Sequence, residues 1–552
     1  MGRASFVGYD FFGTDTAAHR RLRSSGTRWE DQIMGQLEHG GEGQLGWFYW
    51  RARAAYPHKT AVIDVSQGYE RRISFAALDA AMNRVANLLV ANGLKPGDRM
   101  GLGMSNRWEF FAAMFGAMRA GVVPVPMNTK QAPDVLAYIL TDADAKAAVI
   151  EPAANPRLAD AARDVGVKFA LGDAPAGWLG FWDAASSRSS EFQPLSLKGD
   201  DPAFHPYTSG STGRPKGMSL THRNTTWLIE MRQKHWPARL DQRGLIAAPL
   251  YHKNAMTIAF KPKLRAGGSI VLMGGFEARA YLQALADHGV TEAGGVPTMF
   301  SLMLQQQDLI NALDFSRLEI LRLGSAPAHG ELMDELARTF NVPTAQGYGL
   351  TETAGGCLSP PLDGRPVPRA SVGSVMPETE VKLVGPNGGE RDDIGEFWIK
   401  SPANTPGYHN LPDVTAERFV DGWLRTGDIL SKDADGFFYF EGRVDDMFNC
   451  GGENVYPKEV ENLLLKHPAV AQAVVLPHEH PSKGECPVAA VVLHDGCVTE
   501  AELKAYTLEN GPAYAHPRRI LIKDALPLTG VNKVDLRAVG AELAALKIES
   551  AA

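Results

Sequence analysis

Residues 71–94 read RRISFAALDAAMNRVANLLVANGL. The opening RRIS is a short strand by pattern, and from Phe75 the period changes. Leu78, Met82, Val85, Ala86 and Leu89 recur at the i, i+3, i+4 spacing of an amphipathic helix. Gly93 and the Lys-Pro-Gly turn at 95–97 end that helix. The same unit repeats downstream. DRMGLGMSN (98–106) predicts a strand, WEFFAAMFGAMRAG (108–121) a helix closed by Gly121, and VVPVPMN (122–128) the next strand. A helix from about residue 131 and the strand AKAAVIE (145–151) follow. Strands alternating with helices predict parallel sheets joined by crossover helices.

The alternation resumes in GLIAAPLYHKNAMTIAF (244–260), GSIVLMGG (268–275), YLQALADHG (281–289), EAGGVPTMFSLMLQQ (292–306) and LEILRLGSAPAHGELMDELARTF (318–340). Between about 365 and 440, short strands with Gly, Pro and Asp turns predict an antiparallel unit. After it comes a compact α/β piece with the helix PKEVENLLLKH and the strands AVAQAVVL and PVAAVVL. The expected organisation is a polar, partly ordered extension over 1–43, a large domain over 44–441 and a small domain over 442–552. Packed structure is expected to begin at the aromatic cluster Trp47, Phe48, Tyr49, Trp50.

The chain has 552 residues, too many for one core. It is 44% hydrophobic and 22% charged, as in ordinary globular proteins. A net charge of −7 offers no general basic field for nucleic acid. Cys357, Cys450, Cys486 and Cys497 lack C-x-x-C spacing, which speaks against a zinc site or a disulfide framework. They suit a reducing cytoplasm. No apolar run approaches a membrane span, and no secretory leader is expected. A homodimer is admitted.

The stretch Tyr207–Gly217, YTSGSTGRPKG, carries the chemistry. Gly210, Gly213 and Gly217 permit close backbone approach to a ligand. Thr208, Ser209, Ser211 and Thr212 add hydroxyls, and Lys216 adds a positive charge. Together they suit a polyphosphate. The order is not that of a Walker A loop, because Lys216 follows Pro215 and precedes Gly217.

Four further stretches stand in order behind it: QGYGLTET (346–353), Thr426-Gly427-Asp428, GRVDDMFNCGGENVYPKEVE (442–461) and PLTGVNK (527–533). SNRWEFFAAMFGAMRAGVVPVPMN (105–128), PLYH (249–252) and LGSAP (323–327) add softer signals. In this order and spacing the chain resembles the adenylate-forming superfamily of acyl-CoA synthetases, peptide-synthetase adenylation domains and beetle luciferases. The resemblance spans about residue 45 to 545.

The resemblance implies an α/β fold: a large domain of two βα-layered sheets plus a small β-barrel-like subdomain, then a small mobile C-terminal domain. It implies two half-reactions. A carboxylate attacks the α-phosphate of ATP, giving acyl-adenylate and pyrophosphate, and the thiol of coenzyme A then displaces AMP. By resemblance, Thr208–Gly213 and Lys216 hold the phosphates, Glu352 ligates Mg²⁺, and Thr351 touches the α-phosphate. Gln346, Gly347, Tyr348 and Gly349 face the adenosine, with Gly324, Ser325 and Ala326 as the opposite wall. Asp428 accepts from the ribose hydroxyls, and Arg443 donates to ribose or α-phosphate. Lys533 reaches the reacting carboxylate. Asn532 stands where the family usually has glycine, and asparagine tolerates left-handed backbone angles. Asp445 matches the hinge, and Gly451 and Gly452 the face presented to CoA.

The acyl pocket is expected at Tyr251, His252, Met256, Gly295 and Val296. His252 gates the carboxylate or is a supporting core histidine. Lys253 pairs with a second polar or carboxylate group of the acid, or points to solvent. The missing Asp in this stretch disfavours an amino acid. The expected activity is a carboxylic acid–CoA ligase. The alternatives are an enzyme loading a carrier protein and a non-catalytic nucleotide-binding relative, against which Lys216, Glu352, Asp428, Arg443 and Lys533 all speak.

Overall fold

A computed structural model describes residues 45–208, 214–252, 255–450, 453–480, 483–494, 498–530 and 532–546. The expectations for residues 1–43, for Ser209, Gly210, Ser211, Thr212 and Gly213, for Lys253, and for Gly451 and Gly452 lie outside the described residues.

The stretch 71–94 folds as its pattern predicts. Arg71–Ser74 is a strand and Phe75–Ala91 a helix. Ser74 caps the helix by accepting from Ala77 N at 3.2 Å. Leu78, Met82, Val85, Ala86 and Leu89 are all buried. Gly93 takes φ +83, the left-handed angle a helix end needs.

Two parallel sheets form the frame of the large unit. One has five strands in the order Val123–Pro126, Arg99–Gly103, Ala145–Ile150, Val167–Ala170, Leu179–Gly180, all parallel. The other has seven, in the order Thr344–Gln346, Ile320–Leu323, Glu292–Gly295, Arg243–Ile246, Ser269–Leu272, Thr60–Asp64, Arg71–Ser74. Its last pair is antiparallel, at the edge. The helix Trp108–Arg119 is buried along almost its whole length, as one packed between layers must be. Phe111, Phe115 and Phe260 stack near its middle, Phe111 and Phe260 with ring centroids 3.9 Å apart. Each such side chain contributes about 1.5–3 kcal/mol through burial.

The expected antiparallel unit is a six-stranded sheet. Its long central strand, Trp423–Lys432, lies between Ile394–Lys400 and Phe438–Arg443. That register sets Asp428 directly opposite Arg443. The 3₁₀ turn Val444–Asp446 follows at once. Beyond it a five-stranded sheet is built on the hairpin Val470–His480 and Gly484–Leu493. Ile520–Lys523 runs parallel to the second arm. The helices Pro457–Leu465, Glu500–Asn510 and Leu536–Ala544 belong to this part, which has its own core around Val460, Leu464, Val491 and Leu503.

Candidate active site

The phosphate stretch begins and ends as a hairpin. Tyr207–Thr208 pairs with Lys216–Gly217, and Lys216 stands opposite Thr208. A β-carbon on Gly217 would come within 2.7 Å of His205 Nε2, so only glycine fits there. Tyr207 donates its hydroxyl to Asp142 Oδ2 at 2.6 Å. Gly217 O accepts from His409 N at 2.8 Å. Both arms are therefore pinned to the scaffold.

Glu352 lies in the 3₁₀ turn Thr351–Thr353. Its Oε1 accepts from the Tyr408 hydroxyl at 2.8 Å, and its backbone O accepts from Thr405 N at 2.7 Å. Thr405 Oγ1 in turn donates to Ser219 O at 2.7 Å, and Tyr408 bridges to Met218. The 405–408 segment thus ties Glu352 to the exit of the hairpin. Burial raises the Tyr408 hydroxyl, and the Glu352 charge raises it further. Sequence reasoning missed Tyr408 and Thr405. They stand in a Pro/Gly turn stretch with no motif spacing to Glu352, so no sequence signal marked them.

Asp428 is 3% exposed. Its Oδ2 accepts from the Tyr348 hydroxyl and its Oδ1 from Arg443 Nη1, each at 2.5 Å. Burial raises the carboxyl above its usual range, while Arg443 and the Tyr348 bond oppose that rise. Each oxygen keeps a further lone pair for another donor. Gln346 is buried, and its Oε1 accepts from Ala328 N at 2.7 Å, so it fixes the 324–328 loop. Ser325 in that loop has φ +64, a strained angle for a residue with a β-carbon. A β-carbon on Gly349 would meet Gly356 Cα at 2.5 Å, which forces glycine there.

Lys533 closes a tight turn. Thr529 N donates to Lys533 O at 2.7 Å and Asn532 N to Thr529 O at 3.0 Å. Asn532 has φ +59, the angle expected of the residue replacing glycine. Its carbonyl accepts from Thr298 Oγ1 at 2.5 Å, which latches the turn onto the start of the helix Pro297–Leu304. Lys533 enters a pocket shared with His252, Gly295, Val296, Ser325 and Arg322. Burial lowers the Lys533 ammonium, and the Asp428 charge partly restores it. Burial and then Lys533 push the His252 imidazole down to about 4, so it is neutral at neutral pH.

The structure thus gathers His252, Gly295, Val296, Ser325 and Lys533 at one pocket. Tyr251 lies beside the Lys533 turn: a β-carbon on Gly530 would sit 3.7 Å from its hydroxyl. Burial raises that hydroxyl to about 12. Met256 is 1% exposed and belongs to the core, and Ala255 is the wall residue at that point. Asp445 is exposed in the turn Val444–Asp446. It lines a cleft of about 1130 Å³ with Ala326, Arg443, Lys458 and Lys533.

One charged group, paired with the pocket residue Arg322, was not anticipated. Glu292 is 5% exposed; its Oε1 meets Arg322 Nε at 3.2 Å and its Oε2 meets Lys263 Nζ at 2.9 Å. Burial would raise this carboxyl, but Arg322 and Lys263 together hold it down at about 2. The sequence did carry a signal: a Glu in TEAGG and an Arg in LEILRLG, each inside an apolar strand. A charge buried in such a strand needs a partner.

A Mg²⁺ ion would be met here by a carboxylate, Glu352. Among the described residues no group of three or more His, Cys, Asp or Glu side chains could cage a metal. A single carboxylate suits an ion that keeps its waters and rides on substrate phosphates.

The family model described as AMP-binding enzyme matches residues 49–409, and that of the AMP-binding enzyme C-terminal domain matches 459–533. The chain is 35% identical over 501 residues to feruloyl-CoA synthase of Amycolatopsis sp, covering 89% of this chain and 97% of that one. It is 30% identical over 501 residues to the long-chain-fatty-acid–CoA ligase FadD13 of Mycobacterium tuberculosis, covering 89% and 96%. Among solved structures it is similar to the anthranilate CoA ligase AuaEII in complex with anthranoyl-AMP. That likeness has a TM-score of 0.82 and 25% identity, over 90% of this chain and 96% of that one.

Proposed function

The chain belongs to the AMP-binding enzyme family, and from that premise we infer that it is an AMP-forming carboxylic acid–CoA ligase. ATP and CoA are its co-substrates. The observation that supports the chemistry best is the convergence of Lys533 and His252 on one pocket, with Asp428 acting on Lys533 from the nucleotide side.

In this reading the acid lies in the pocket with its carboxylate beside Lys533. The ammonium offsets repulsion between the carboxylate and the α-phosphate as they meet. Neutral His252 adds no competing charge. Asp428 takes the ribose hydroxyls, with Arg443 and Tyr348 holding it in place. Tyr348 and Gly324–Ala326 flank the adenine. Lys216 and the hydroxyl-rich residues between Thr208 and Lys216 take the β- and γ-phosphates, and Thr351 takes the α-phosphate. Glu352, steadied by Tyr408, would hold Mg²⁺, which neutralises phosphate charge.

The second half-reaction is assigned to a different setting of residues 442–552 about Asp445, with Gly451 and Gly452 turned toward CoA. The turn Val444–Asp446 joins the two sheets through a short exposed link, as a hinge requires. Cytoplasmic residence is supported by free Cys357, Cys450 and Cys486, all buried. No helix among the described residues is long and apolar enough to cross a membrane.

The test is a panel of carboxylic acids with ATP, Mg²⁺ and CoA, followed for AMP and thioester together. Stoichiometric AMP and CoA thioester are expected. Pyrophosphate release without free CoA thioester would point to a carrier-protein acceptor instead.

A further inference from the structure

The acyl pocket carries more positive charge than its own structure uses. Arg322 stands on the strand Ile320–Leu323, in register with Gly294 on the neighbouring strand. Gly294 and Gly295 present no side chain, so the pocket wall is open there, and Arg322 lines it together with His252 and Lys533. Glu292 is the carboxylate that answers this arginine, and Lys263 already holds its other oxygen.

A third cation faces the same group. Arg232, on the helix His222–His235, repels both Arg322 and Lys263 and is drawn to Glu292. Its Nε is buried with no hydrogen-bond partner. A β-carbon on Gly356 would come within 3.0 Å of its Nη2. Burial and then Arg322 push its guanidinium down to about 10. Among the described residues, Lys263 and Arg322 thus both pair with one carboxylate, and Arg322 is the one that also lines the pocket.

A purely structural ion pair does not need this excess. Lys263 alone would neutralise Glu292. Each added buried cation costs desolvation and repulsion that only a further anion offsets. Arg322 spends its Nε on Glu292, and its two Nη groups meet no acceptor among the described residues. A planar guanidinium with free donors suits a carboxylate or sulfonate.

We propose that the acid substrate carries a second anionic group, a carboxylate or sulfonate, remote from the reacting carboxylate, and that Arg322 binds it. Lys533 and Arg322 line one pocket, so the two ends of one acid reach them together. This rests on the ligase reading above and names its substrate class. Lys253, for which the sequence suggested a similar role, lies outside the described residues. Arg322 is the group the structure places at the pocket.

The test uses the wild-type chain with ATP, Mg²⁺ and CoA. Acids are compared in matched pairs: pentanoate with glutarate, benzoate with terephthalate, and 3-phenylpropanoate with its 4-carboxy derivative. 4-Hydroxybenzoate forms a separate arm. In at least one pair, kcat/KM for the doubly charged acid is expected to exceed that of its singly charged partner by about tenfold or more. Arg322→Gln is expected to reduce that preference to within about twofold, and Arg322→Lys to keep part of it. Lys263 still pairs with Glu292 in both variants, and the wild-type comparison needs no variant at all. Equal or better turnover of the singly charged acid in every pair, or of 4-hydroxybenzoate over terephthalate, overturns the proposal and leaves the ligase reading standing. No pyrophosphate release with any acid overturns the ligase reading and the proposal together.

Discussion

Asp428 and Lys533 bring opposite charges to the same site, and they are held in opposite ways. Asp428 sits on the ten-residue strand Trp423–Lys432, paired on both sides. Its carboxylate is fixed by Tyr348 and Arg443. Lys533 sits on a turn closed by its own backbone bonds and latched by the Thr298 hydroxyl to the Asn532 carbonyl. A strand inside a sheet moves only if the sheet breaks. A turn latched by few bonds can be docked and released. In the reading proposed above, the nucleotide side is the fixed wall and the Lys533 side is the part that leaves.

The largest expected effect comes from Lys533→Ala. Loss of the charge should lower pyrophosphate release with a good acid by about 10²-fold or more. Thioester formation from supplied acyl-adenylate should change far less. Equal loss in both assays would erase the distinction between the walls. Asp445→Pro should do the reverse, lowering thioester formation more than pyrophosphate release, since proline freezes one of the angles a hinge must change.

A milder change is expected from Thr298→Val, which removes the hydroxyl latch and keeps the side-chain shape. The bond contributes about 1 kcal/mol, so the ratio of docked to undocked turn should fall about fivefold and the adenylation rate by up to that factor. Binding of ATP, measured by calorimetry, should be unaltered. A change there would mean the latch also supports the fixed wall.

The smallest effect concerns pH. His252 is held down at about 4 by burial and Lys533, below its unfolded value of 6.5. Between those values the unfolded chain binds the proton and the folded chain does not, so its contribution is complete above pH 6.5 and is lost as pH falls toward 4. Burial acts the same way on His222, also pushed down to about 4. Thermal unfolding followed from pH 7 to pH 4 should show falling stability, with a shallower slope in His252→Asn. An unchanged slope would show that His252 is not held neutral by burial in solution.

Much of the fixed wall was legible in the chain. Asp428 and Tyr348 lie in short motifs that the family resemblance singled out, though residue type alone reads Asp428 as a turn residue. Asn532 was legible too: its left-handed angle follows from residue type and from a turn that needs it. The Thr298 latch was not, because its partner lies 234 residues away and a threonine in GVPT has no feature that marks it. Tyr408 was missed for the same reason, since its hydroxyl finds Glu352 only when the sheets are assembled.

By itself the sequence determined the alternating β/α order and the change to antiparallel strands near residue 365. These are local properties, set by side-chain period, turn chemistry and short spacing. Only the tertiary structure decided that Lys533 shares a pocket with His252, and that Arg322 and Lys263 both pair with one buried Glu292. Electrostatic balance depends on distance and burial in three dimensions, and the positions of charges along a chain carry neither.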